Sequence, residues 1–170
     1  QQVTVYGKPY ELSGQEEMEY LTGMESGERE VTGSVTVEVN SSTLPDSPAA
    51  KAEIAGSQGN YILRISDNSD AGKEISGAYR RASGKQLKSL QVYDITLQDA
   101  VNKIPITKLG RQRMTITIPK PRGILLENIQ VVCLDEDGQL ERVESRVVTV
   151  GGQPCIQFEA SHFSLYGICN

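Results

Sequence analysis

The chain has 170 residues, 38% of them apolar, with no Trp, two Phe and a net charge of −5. With no block of like charge it lacks a nucleic-acid footprint, and no apolar run reaches the ~18 residues that a membrane span needs. A chain of this length makes one domain or two small lobes, and it can bury about 70% of its unfolded surface without a metal or disulfide.

The core therefore falls to Val, Ile, Leu and Tyr, and with 16 Gly this composition favours a β-rich domain. The first residue is Gln rather than Met, which reads as a chain whose targeting segment has been removed.

Val3–Tyr6 alternates and predicts an edge strand, and Leu12–Glu30 is acidic and weakly patterned, with room for a helical turn around Glu16–Leu21. Val31–Asn40 predicts a half-buried antiparallel strand, with Val35, Val37 and Val39 on one face and Thr36 and Glu38 on the other. Pro45 and Pro48 stop it, and Ala49–Ala55 reads as a turn or two of helix after Pro48. Tyr61–Ser66 is the next strand. Asp67–Asp70 offers capping side chains to a helix carrying Ala71, Ile75, Ala78, Tyr79 and Ala82, which Gly84 ends. Gly72 and Gly77 weaken that helix by up to ~1 kcal/mol each.

From Leu90 onward the chain reads as strand and turn. Leu90–Leu97 turns Tyr93, Ile95 and Leu97 to one face, and a loop spans Asp99–Gly110. Arg113–Ile118 then puts Met114, Ile116 and Ile118 inward, until Pro119 and Pro121 end the ladder. Ile129–Asp135 and Leu140–Glu144 flank a turn of the Asp-Gly kind at Asp137–Gly138, and Val147–Val150 follows. Gln153–Cys169 reads as a closing hairpin with the chain's only histidine, His162, at its tip. About ten short strands and one helix predict an antiparallel β-sandwich, with 1–32 as an N-terminal strand and loop and 33–170 as the sandwich.

Cys133, Cys155 and Cys169 are odd in number and lack metal-type spacing, so no metal or cofactor is assigned. Cys155 and Cys169 lie at similar distances from the expected tip and can face each other across the two arms; buried reduced thiols are the plainer reading. Asp135, Glu136 and Asp137 lack the spaced ligands of a calcium loop and read as a solvated turn. Tyr10, Tyr20 and Tyr61 are candidates for a glycan platform, although scattered surface tyrosines are ordinary.

Four segments in order resemble a module of large surface proteins of Gram-positive, Clostridium-type bacteria. They are Val92–Leu97 ("YDI-L"), Met114–Pro119 ("I-I-P"), Val131–Leu140 ("DEDG") and His162–Ile168 ("HFS-YGI"). In that module the last segment usually has Ala where this chain has Gly167. The resemblance covers about 33–170. It implies a secreted or wall-attached protein whose module is a spacer or adhesion unit, without catalytic activity. Its partners would be neighbouring modules of the same polypeptide and a host or cell-wall ligand.

A shorter resemblance attaches to His162, Phe163 and Ser164. The triplet is similar to the self-cleavage site of GAIN-type domains, though their paired cysteines are not reproduced. That resemblance implies His162 as base, Phe163 as donor of the scissile carbonyl and Ser164 as nucleophile in an N→O acyl shift. The alternative is a turn whose polar groups are satisfied locally. Lys8 and Asn170 are the residue types that some pilin-type modules cross-link, but no matching acid is identifiable.

Overall fold

The computed structural model describes residues 32–45, 49–57, 59–135 and 137–170. The strand expected at Val3–Tyr6 and the turn at Glu16–Leu21 lie outside the described residues, as do Lys8, Tyr10 and Tyr20.

The first sheet is built from β1 (Thr32–Asn40), β3 (Asn60–Asp67), β4 (Leu90–Asp99), β7 (Gln130–Leu134), β8 (Leu140–Val143) and β11 (Leu165–Cys169). Its order is β8-β7-β11-β4-β3-β1, with the two-residue β5 (Pro105–Ile106) also paired to β4. The second sheet runs β2-β6-β10-β9, from β2 (Lys51–Ala55), β6 (Met114–Pro119), β10 (Gln153–Ala160) and β9 (Ser145–Val150). Strand β1 belongs to both: Thr32 and Gly33 face β2, and Ser34–Asn40 run along β3. This is the expected mainly β sandwich with one α-helix, α1 (Gly72–Ser83).

Alternation explains the core. Leu63 and Ile65 of β3, Tyr93, Ile95 and Leu97 of β4, and Val131 and Cys133 of β7 point inward from the first sheet. Met114, Ile116 and Ile118 of β6 and Ile156, Phe158 and Ala160 of β10 meet them from the second. The first sheet is apolar on its other face too. There Val92, Val132, Leu134 and Cys169 pack under Ile75 and Ala78 of α1. Gly167 sits beneath the helix, where a Cβ would stand 3.0 Å from Leu90 Cδ1 and 3.2 Å from Val132 Cγ2. A side chain at position 167 would therefore make a tight approach to both neighbours.

The helix is anchored as its sequence suggests. Asn68 Oδ1 accepts from the Ala71 N–H across the short 3₁₀ turn Ser69–Ala71, and Gly84, at φ 73°, closes the C-terminus. Gly77 lies mid-helix, where an added Cβ would meet only the flexible end of Arg81, at 3.4 Å. Gly77→Ala is expected to raise stability by about 0.5–1 kcal/mol, read as a higher urea midpoint at unchanged slope.

Three expectations need correction. Ala49–Ala55 is not helical: Ala52 and Ile54 are buried between exposed Lys51, Glu53 and Ala55, a period of two selected by pairing with β6. Strand β1 is parallel to β3 over seven pairs, and antiparallel only at its two pairs with β2. Its alternation holds, since Val35 and Val37 pack against the core, although Val39 is 43% exposed.

The third concerns the chain's end. Gln153–Cys169 is not a hairpin: β10 pairs with β6 and β9, whereas β11 lies between β4 and β7 in the other sheet. Ser161–Ser164 is therefore a crossover between sheets. Leu165–Cys169 is apolar on both faces, and only the sheet covered by α1 can bury both. Cys155 and Cys169 consequently sit in different sheets and do not face each other, and all three cysteines are free and buried.

Candidate functional site

A row of directly paired residues crosses the inner face of the first sheet: Asp67, Tyr93, Tyr166, Cys133 and Glu141, one each from β3, β4, β11, β7 and β8. Its two ends carry polar chemistry, and the tyrosines between them are buried.

At the first end the Asp67 carboxylate accepts from the Ser41 hydroxyl (2.6 Å), the Ser42 N–H (2.8 Å) and hydroxyl (3.0 Å), and the Thr43 hydroxyl (3.1 Å). Burial pushes the carboxyl up, but these four bonds outweigh it and hold it below its ordinary value. Thr43 Oγ1 also lies 2.7 Å from the Tyr93 hydroxyl. Burial pushes the Tyr93 phenol up to about 12, with the nearby Asp67 charge adding to the rise. This end ties the loop after β1 to the sheet.

At the other end, the β7–β8 hairpin sets Cys133 and Glu141 opposite each other. Its turn follows Asp-Gly chemistry: Asp135 Oδ1 accepts from the Asp137 and Gln139 N–H groups at 2.9 and 2.8 Å, and Gly138 adopts φ 77°. The crossover then brings His162 to the pair. Its Nε2 lies 3.1 Å from Glu141 Oε1 and 3.8 Å from Cys133 Sγ, and the thiol lies 3.4 Å from the same carboxylate oxygen.

The crossover is held on several sides. Tyr166 donates its hydroxyl to the His162 carbonyl (2.6 Å) and its ring lies alongside the imidazole, centroids 6.1 Å apart. The Phe163 N–H donates to the Thr107 carbonyl (3.0 Å), and the Leu109 N–H to the Ser161 carbonyl (2.8 Å). Phe163 is buried in the core, and the Ser164 hydroxyl donates to the Leu134 carbonyl at 3.4 Å. A cleft of about 550 Å³ borders this end, lined in part by Lys108, Asp135, Glu141, His162 and Ser164.

The sequence-predicted site residues border one cleft but are held by different hydrogen-bond partners. His162 turns its Nε2 to Glu141 and Cys133, and Ser164 turns its hydroxyl to Leu134. The base–nucleophile contact that an acyl shift uses is not among these bonds. A thiol protease-like relay is not assembled either. Thiol and carboxylate approach the same ring nitrogen, whereas such relays use opposite ones. Burial, helped by the Glu141 hydrogen bond and the charges of Glu141 and Asp135, pushes the Cys133 thiol up, away from the thiolate a nucleophile needs. Hydrogen bonds from His162 and Cys133 hold the Glu141 carboxyl below its ordinary value.

Sequence reasoning missed Cys133 and Glu141 as a pair. The signal was present, because the Asp-Gly turn fixes a register in which residues 133 and 141 are opposite. Of the tyrosines read as a glycan platform, Tyr61 is packed against the core with its hydroxyl 2.6 Å from Ser57 Oγ. No helix among the described residues is long and apolar enough to cross a membrane.

No protein-family model, curated protein or solved structure matches this chain.

Proposed function

We propose that this chain is a non-enzymatic, extracellular structural or adhesive module of a secreted or wall-attached bacterial surface protein. The observation that carries the reading is the path of the chain. Strand β1 starts beside the Asp99 end of β4, through the pairs Ser34–Asn60 and Tyr61–Asp99, and β11 finishes at the Leu90 end through Cys169. Ten residues of strand separate those ends, about 30 Å at the usual rise. A body entered at one end and left at the other suits modules joined in file along one polypeptide. The four-motif resemblance points the same way, and its last motif runs from the inter-sheet crossover into β11.

Antibody raised against the described body is expected to label intact, unpermeabilised cells of the source organism. Labelling only after permeabilisation would overturn the surface assignment. The self-cleaving alternative is tested by the mass of freshly purified protein under denaturing conditions. A single species near 18.6 kDa is expected, whereas a break between Phe163 and Ser164, abolished by Ser164→Ala, would replace the structural reading with a catalytic one.

A further inference from the structure

Three donor atoms of different chemistry converge at the outer end of the tyrosine row. They come from three separate segments: Cys133 from β7, Glu141 from β8 and His162 from the crossover. We propose that Cys133 Sγ, Glu141 Oε1 and His162 Nε2 form a three-ligand site for a zinc-type divalent ion, whose fourth position opens to the adjoining cleft.

The distances carry the argument. Zinc bond lengths of about 2.3 Å to sulfur and about 2.0–2.2 Å to nitrogen and oxygen set tetrahedral ligand atoms about 3.3–3.6 Å apart. The observed edges are 3.8 Å for sulfur to nitrogen, 3.1 Å for nitrogen to oxygen and 3.4 Å for sulfur to oxygen. An ion enters this triangle with small side-chain movements. The donor set also selects the metal: a thiolate, an imidazole and a carboxylate suit zinc, whereas calcium and magnesium take oxygen ligands.

The site is held in advance of the ion. Cys133 and Glu141 are fixed as cross-strand partners, and Cys133 is fully buried. The His162 backbone bridges to Lys108, and its carbonyl accepts from Tyr166, whose ring lies along the imidazole. Such outer contacts orient ligands in metal sites. Glu141, with its side chain 55% exposed, gives the ion a route from solvent. As the sulfur–metal bond forms, the Cys133 thiol gives its proton to solvent. The ion is then held by one sulfur, one nitrogen and one oxygen from the chain, with water in the open position. This site stands independently of the surface-module reading.

The test is a titration of the full chain, reduced and freed of metal by chelator, with Co²⁺ as a spectroscopic stand-in and Zn²⁺ as competitor. One equivalent of Co²⁺ is expected to produce a thiolate-to-cobalt charge-transfer band that Zn²⁺ abolishes and that Cys133→Ala lacks. Because Cys133 is a core position, Glu141→Gln serves as the second variant on an exposed rim. It is expected to keep its fold and to bind Zn²⁺ at least about 10–100-fold more weakly, the loss that even outer-shell changes bring. His162→Gln should do the same. Absence of the band in the wild-type chain, its survival in Cys133→Ala, or unchanged Zn²⁺ affinity in Glu141→Gln would each overturn the proposal.

Discussion

Phe163→Ala is expected to lower stability by about 3–5 kcal/mol, the usual cost of removing a buried aromatic ring. Phe163 is only 8% exposed and belongs to the cluster in which both sheets meet. Its neighbours cannot collapse into the vacated space easily. The backbone on either side is fixed by Phe163 N–H to Thr107 and by Tyr166 to the His162 carbonyl. Because the adjoining cleft lets water reach part of the cavity, the effect should fall toward the lower end of that range. Urea unfolding checks it, with Phe163→Leu as a comparison that keeps most of the apolar volume. A loss below about 1 kcal/mol would mean that the crossover does not couple the sheets.

The second large effect is alkaline. Tyr93 is fully buried, and its phenol ionises near 12 in the folded protein against 10.0 ordinarily. The unfolded chain therefore releases this proton first as pH rises. Stability from Tyr93 is complete below pH 10 and is lost progressively between pH 10 and about 12. A two-unit difference corresponds to about 2–3 kcal/mol. Tyr93→Phe should flatten this decline while leaving Thr43 bonded to Asp67. Stability followed by chemical denaturation at stepped pH decides it, since an equal decline in the variant would place the titration elsewhere. Tyr166 is raised in the same direction by burial and by the charges of Cys133 and Glu141, so some slope should persist in the single variant.

Much of this architecture was legible in the residues. Met114, Ile116 and Ile118 alternate, and all three are fully buried; Asn68 caps the 3₁₀ turn that leads into the helix, and Gly84 closes the helix's C-terminus. What failed did so for a physical reason. Leu165–Cys169 looks like a hairpin arm because it follows β10 closely, yet an arm with one wet face would not need Ile168 and Cys169 both buried. Which sheet a strand joins depends on what covers its second face, and that cover, α1, lies some eighty residues earlier in the chain. The candidate site shows the same division. The turn alone pairs Cys133 with Glu141, whereas His162 reaches them only because the chain changes sheets between Ala160 and Leu165. For the same reason the His-Phe-Ser triplet, read locally, suggested a base beside its nucleophile. Tertiary contacts turn the two side chains to different partners.

Strand β1, which begins in one sheet and finishes in the other, also determines how the body would answer a pull. It and β11 run in the same direction, and tension applied at Thr32 and Asn170 draws them along their own axes in opposite senses. The seven β1–β3 pairs and the β11 ladders with β4 and β7 would then be strained together in shear, not peeled apart one bond at a time. Force that loosens the start of β1 must also free Thr32 and Gly33 from β2. A body loaded in this way is expected to resist extension up to a threshold and then to yield as a unit.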